Sequence, residues 1–296
     1  MGQKKISVKE IAEMAGTSVA TVSRVINQNG RFSKETEKRV KDIIEQYGYQ
    51  PNQLARGLRV SHTQIIGILV PDITNEFFAS ITREVQKHLL SMNYMTLICS
   101  TNENVMEAKE QIQMLLSQKV GGIIYIGGED ITESVHIPTI YIDRAPAEIK
   151  RGEKHKVEEN YAMIECDNIQ GGYLAGQELA RKGARKIAYV CYGATLPTIQ
   201  KRLKGFQTAL SEYQIEIQPE AGVYVKEVSL EEGSKATQYI MQELDGIDGI
   251  FFMTDMLAVG GLSYLVNNGI RVPEQVKVVG FDDISMSRMI YPKLTT

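Results

Sequence analysis

Apolar residues recur with two different spacings along the 296-residue chain, and the change falls near residue 64. Before it they come at helical period. Val8, Ile11, Ala12 and Ala15 share one helix face, and Ser7 with Glu10 three residues later is a capping-box spacing that starts a helix at Val8. Ala15-Gly16 breaks this helix, because glycine takes the left-handed backbone that a tight interhelical turn needs. Ser18 caps a second helix that buries Val22, Val25 and Ile26 and turns Val19, Ala20, Ser23, Arg24 and Asn27 outward. Ser33 to Tyr47 reads as a third helix, with Val40, Ile43, Ile44 and Tyr47 as its apolar stripe and Gly48 at its end.

From Gln64 the grammar is strand then helix. Ile65 to Val70 is a continuous apolar run, the mark of a parallel strand buried on both faces. Further strands are expected over 94–100, 123–126, 139–142, 186–191, 222–225, 249–253 and 277–280. They alternate with helices over about 78–92, 105–118, 169–182, 200–213, 230–244 and 256–268. This alternation predicts a doubly wound α/β fold, and a restart of the pattern at Met163 divides it into two lobes. In such sheets ligands bind at the carboxyl ends of the strands.

Tyr49 to Gln64 fits neither grammar. Gln53 to Val60 is only two turns long and contains Gly57, so alone in water it is mostly unfolded. Its residues Leu54, Ala55 and Leu58 beside Arg56 and Arg59 suit either a plain basic linker or a helix that folds when a minor groove receives it.

Charge sharpens the division. Residues 1–62 carry 11 Lys and Arg against 6 Asp and Glu, the remainder 22 against 30, so a basic head precedes an acidic body. That suits a head that neutralises phosphates. The three cysteines, Cys99, Cys166 and Cys191, lie far apart in apolar surroundings and read as buried free thiols of a reducing compartment. With no secretory run at the N-terminus and only strand-sized apolar stretches, a cytoplasmic protein without membrane association is expected. No GxGxxG follows a strand, there is no HExxH or GxSxG, and His62, His88, His136 and His155 form no ligand spacing. Neither an enzyme, a cofactor nor a metal is expected.

Two groups of residues remain as candidate chemistry. A helix-turn-helix places the start of its second helix in the major groove, where the fork of Arg24 pairs with guanine at about 1–3 kcal/mol of discrimination. The candidate DNA-contacting residues of the helices are Ser7, Val8, Ser18, Val19, Ala20, Thr21, Ser23, Arg24 and Asn27. At the expected strand ends stand Asp72, Asn75, Phe77 and Phe78, then Asp143 and Arg144, and in the second lobe Arg202, Thr254, Asp255 and Asp282. Carboxylates, an amide, arginines and aromatic rings are the inventory of a carbohydrate cleft. Asp255 reads equally as a helix cap or a ligand contact.

The segments EIAEMAGTSVATVSRVIN, YGYQPNQLARGL, VPDITNEFF, YIDR, RLKGF, FMTDMLAVGGL, GIRVPEQVKVVGFDD and YPKLTT resemble the LacI/GalR family of transcriptional regulators over the whole length. The resemblance implies a helix-turn-helix head with a hinge helix over 1–60. A core of periplasmic-binding-protein type follows, lobe one at 61–162 and lobe two at 163–296. The family pattern continues past Thr296, so lobe one is expected to be incomplete. The resemblance also implies that Leu58 wedges into the minor groove with Arg59 alongside, and that Asn75, Phe77, Phe78, Asp143, Arg144, Arg202 and Asp282 match a ribose-type site. Thr254 stands where that subgroup has asparagine, and Glu76 where it has proline. The implied function is a homodimeric, non-enzymatic repressor of a sugar-utilisation operon, released from a palindromic operator by a ribose-like monosaccharide. The alternative within the family is a catabolite-type global regulator controlled by a phosphoprotein partner.

Overall fold

Serine hydroxyls at the expected places start the first three helices of the computed structural model, which describes residues 6–49, 63–127, 135–144, 161–193 and 195–296. The chain divides into two units, Met1–Thr63 and Gln64–Thr296. In the first, Ser7 and Glu10 cap each other at the start of α1 (Val8–Met14). The Ser7 N–H donates to Glu10 Oε2 at 2.7 Å, and Ser7 Oγ accepts the Glu10 N–H at 3.3 Å. Gly16, at φ +60°, makes the turn. Ser18 caps α2 (Val19–Asn27) and Ser33 caps α3 (Lys34–Tyr47). Ile11, Ala12, Ala15, Val22, Val25 and Val40 form the small core.

Two apolar assignments in this unit change. Tyr47 is 46% exposed. Gly48 ends α3 in a left-handed turn, so the Tyr49 N–H reaches Ile44 O at 3.0 Å and Tyr49 packs on the core instead. Val19 is half-buried against the same core rather than turned outward.

The second unit holds two parallel sheets. Lobe one contains β1 (Ile65–Val70), α4 (Glu76–Ser91), β2 (Met95–Ser100), α5 (Val105–Ser117), β3 (Gly122–Ile126), β4 (Thr139–Ile142) and β5 (Tyr161–Ile164), in the strand order β2-β1-β3-β4-β5. Lobe two contains α6 (Asn168–Arg181), β6 (Ile187–Tyr192), α7 (Pro197–Glu212), a 3₁₀ turn at Pro219–Ala221, β7 (Gly222–Val225) and α8 (Leu230–Glu243). It continues through β8 (Gly249–Phe252), α9 (Asp255–Asn267), β9 (Lys277–Val279) and α10 (Ser285–Met289), in the strand order β7-β6-β8-β9.

The uniformly apolar central strands are packed on both faces. In β1, Leu69 enters one cluster with Ile112, Leu115 and Tyr125, while Ile68 and Val70 enter the opposite one with Phe78. β6 does the same: Ala188 and Val190 face one side, Tyr189 and Cys191 the other.

The lobe boundary differs from expectation. Ile140 of β4 pairs with Ala162 of β5, so Met163 lies in the last strand of the first sheet and lobe two begins after Ile164. Helix α7 starts earlier than expected because Pro197 occupies its first turn, where the missing N–H costs nothing. Neither the 3₁₀ turn nor α10 was legible from periodicity. Cys191 is buried, which pushes its thiol up to about 12. Cys166 is exposed rather than buried, since it lies in the loop between β5 and α6, beyond the sheet. Among the described residues no helix is long and apolar enough to cross a membrane.

Candidate functional site

The parallel strands of both lobes point their carboxyl ends at one cleft of about 570 Å³. Asp72, Asn75, Phe77, Phe78, Asp143, Arg144, Arg202, Thr254 and Asp282 all line it. Several of these side chains also hold the local backbone. Asp72 Oδ1 accepts the Thr74 N–H and hydroxyl, each at 2.7 Å, and shapes the turn after β1. Asn75 caps α4, its Oδ1 taking the Phe77 N–H at 3.0 Å. In the first turn behind that cap Phe77 and Phe78 stand edge to face with centroids 5.3 Å apart.

Asp143 and Arg144 follow directly on β4. Asp143 sits in the left-handed region at φ +71° and is 7% exposed. Its Oδ1 and the Nε of Arg144 are buried without a hydrogen-bond partner, although Arg144 Nε lies 3.7 Å from Asp143 Oδ2. A buried carboxylate oxygen beside a buried guanidinium N–H, both unsatisfied, is a demand for a ligand that donates and accepts. Hydroxyl groups do both.

Across the cleft, Arg202 is clamped. Its Nε donates to Asn168 Oδ1 at 2.8 Å, its Nη1 to Met253 O at 2.6 Å, and its guanidinium carbon lies 3.6 Å from the Phe281 ring centroid. Asp282 Oδ1 is 3.8 Å from Arg202 Nη1. Burial pushes the Asp282 carboxyl up to about 8; Arg202 opposes that shift, and Asp255 and Asp143 add to it.

Asp255 is the exception. It is fully buried and does not line the cleft. The helix cap is its neighbour Thr254, whose Oγ1 takes the Leu257 N–H at 3.4 Å. Asp255 Oδ2 instead accepts the Ile284 N–H at 3.0 Å and so anchors the loop that carries Asp282. It is neither a cap nor a ligand contact, but a brace. One-residue displacement along the chain rotates a side chain from the cleft to the interior.

The cleft also contains residues that the sequence did not single out. Asn102 and Glu103, after β2, are both left-handed, at φ 51° and 54°. Tyr192, at the end of β6, donates its hydroxyl to Glu103 Oε2, and Arg144 Nη1 lies 3.7 Å from Glu103 Oε1. The strand-end rule applied to β2 and β6 points to these positions.

In the helical unit Ser7, Ser18, Ala20 and Arg24 are exposed, and Val8, Val19, Thr21 and Ser23 half-buried. Ser18 and Thr21 hydroxyls bond each other at 2.9 Å, so Ser18 is partly committed to its cap. The stem of Arg24 lies over Gly30, where a Cβ would come within 3.1 Å of Arg24 Cδ. The side chain of Asn27, and Leu58, Arg59 and His62, lie outside the described residues, as does His155. Among the described residues His88 and His136 are exposed, and no His, Cys, Asp or Glu group is arranged to hold a metal.

Residues 7–52 match the model of bacterial regulatory proteins of the lacI family, and residues 177–296 match that of periplasmic binding protein-like domains. The chain is 31% identical to the helix-turn-helix-type transcriptional repressor PurR of Haemophilus influenzae (strain PittEE), over 98% of this chain and 85% of that protein. It is 30% identical to the ribose operon repressor of Halalkalibacterium halodurans, over 98% and 84% respectively. A lac repressor dimer bound to operator and an anti-inducer superposes with a TM-score of 0.83 at 22% identity, covering 98% of this chain and 86% of that one.

Proposed function

The chain belongs to the LacI family of bacterial regulatory proteins, DNA-binding transcriptional repressors with a ligand-binding core, and on that footing we propose that it is released from its operator by a neutral monosaccharide, a pentose such as D-ribose. The observation that carries the reading is the pair of buried, unsatisfied polar atoms, Asp143 Oδ1 and Arg144 Nε, facing the clamped Arg202 across a cleft floored by two phenylalanines. Sugar hydroxyls satisfy both atoms, and the sugar's C–H face packs on a ring. The similarity to a ribose operon repressor supports a pentose.

The mechanism follows from linkage. Two chains, each with one helical head, read a palindrome as a homodimer in the cytoplasm. Arg24 supplies most of the polar readout of α2, with Val19 and Ala20 limited to methyl contacts. Leu58 contacts the operator's centre. A ligand that prefers the closed cleft opposes that arrangement only by its differential affinity, typically about 1–3 kcal/mol. A gel-shift titration on a palindrome selected from random DNA tests this. D-ribose releases the unmutated chain, and Leu58→Ala weakens specific binding by about 1.5–3 kcal/mol, the worth of burying a leucine, or roughly 10- to 150-fold. Unchanged affinity in Leu58→Ala would sink the hinge part.

Asp282 gives the pH dependence its sign. Its raised carboxyl holds a proton near neutrality, and accepting sugar hydroxyls favours the ionised form. The liganded state therefore binds fewer protons, and affinity rises with pH towards and through about 8. Calorimetry between pH 6.5 and pH 8.5, roughly the span that brackets the shifted group, shows tightening sugar binding. The trend disappears in Asp282→Asn.

A further inference from the structure

Glu76 makes a contact that the cleft does not account for. It is the first residue of α4, absent from the cleft lining, and its Oε1 accepts the Ser285 N–H of lobe two at 2.8 Å. Hydrogen bonds from Ser285, and more weakly from the Met286 N–H, hold its carboxyl below the usual range. The two segments it joins both carry cleft residues. On one side Glu76 stands between Asn75 and Phe77; on the other, Ser285 lies three residues beyond Asp282. The lobe-two side is firmly held: buried Asp255 accepts the Ile284 N–H, and the Ser287 hydroxyl donates to Ile284 O at 2.6 Å.

We propose that Glu76 is a positioning residue for the effector response, clasping lobe one to lobe two at Ser285 and holding the cleft-lining segments 75–78 and 282–285 in register before any ligand binds. The clasp is charge-assisted and rigidly based, so its loss shifts the ligand-free chain towards an open cleft. A cleft that is closed for a smaller fraction of the time binds effector more weakly by that fraction. Tyr192 with Glu103 ties the same lobes from within the cleft, where an effector reaches it. The Glu76 tie lies outside the cleft lining, where no ligand in the cleft displaces it directly. This inference rests on the effector reading for its consequence, not for its geometry.

The substitution that isolates the clasp is Glu76→Pro. Proline suits the first helical position, and the preceding Asn75 already has φ −72° and ψ 118°, which precede proline without strain. The experiment measures the distance between spin labels at Lys87→Cys in lobe one and Lys235→Cys in lobe two, both exposed, in the full chain with Cys99 and Cys166 changed to serine. Without ligand, Glu76→Pro moves the distribution to longer distances, and Glu76→Ala does the same should the proline variant fail to fold. Glu76→Gln, which keeps a neutral acceptor for Ser285, shifts the distribution less than either. Identical distributions for the unmutated chain and the proline or alanine variants overturn the clasp. If D-ribose fails to narrow the unmutated distribution, the pentose assignment fails instead, while the ligand-free comparison still decides the clasp.

Discussion

Arg202→Ala abolishes sugar binding and lowers the stability of the core by about 3–5 kcal/mol, the cost of breaking a buried, partnered charge by removing one side of it. Arg202 is 5% exposed, and loss of its guanidinium strands Asn168 Oδ1 and Met253 O together with Asp282. Asp282 then faces Asp255 and Asp143 without its nearby cation, which pushes its carboxyl further up and disfavours the ionised form that accepts best from sugar hydroxyls. Arg202→Lys separates stability from recognition. It keeps a charge but loses the planar fork, so it folds and still binds sugar poorly. Thermal unfolding and calorimetry on both variants read the two effects. A lysine variant that bound sugar as tightly as the unmutated chain would show that Arg202 only supports the fold.

The second large effect comes from helix packing behind that arginine. A Cβ at Gly172 in α6 would lie 1.9 Å from Arg202 O, and one at Gly205 in α7 would lie 1.9 Å from Ile169 O. The two helices therefore touch backbone to backbone at reciprocal points, and no side chain can swing away. Gly172→Ala gains about 0.8–1 kcal/mol of helix propensity, yet forces apart the helix that carries Arg202. The clash costs about 4 kcal/mol, just beyond ordinary overpacking because the atom met is a backbone carbonyl oxygen, for an expected net loss of about 3 kcal/mol. That lowers Tm by roughly 6–12 °C, and sugar affinity falls with it as the Arg202 fork moves. Differential scanning calorimetry checks the first part. A variant as stable as the unmutated chain would mean that the helices separate without strain.

The central strands were legible because they are packed on both faces, which forces runs such as Ile65–Val70 to be wholly apolar. Helix starts at Ser7, Ser18 and Ser33 were legible because the cap is local chemistry, fixed by a hydroxyl and an N–H three residues on. Most of the cleft was legible for a topological reason: polar residues after parallel strands converge whatever the details of packing.

The rest depends on contacts that no local pattern records. Tyr161–Ile164 has the composition of a strand, and only its pairing with β4 assigns it to the first sheet rather than the second. Thr254 and Asp255 are both capping residue types. Burial under the Asp282 loop, not residue type, decides that the threonine caps and the aspartate braces. Tyr192 meets Glu103 across 89 positions of sequence and Ser285 meets Glu76 across 209, so neither tie leaves a trace in spacing. The exposed Tyr47 shows the same limit on a smaller scale, since a left-handed glycine passes its expected role to Tyr49.

The central claim is that a free sugar fills the cleft and sets the grip on DNA. Isothermal titration calorimetry of the full chain with D-ribose, a hexose and a nucleobase tests it most directly. The account predicts saturable binding of the pentose, one site per chain, which Arg202→Lys weakens. No heat with any free sugar, or binding of the nucleobase alone, would contradict it, the first result pointing to a protein partner and the second to a planar ligand stacked on Phe77 or Phe78.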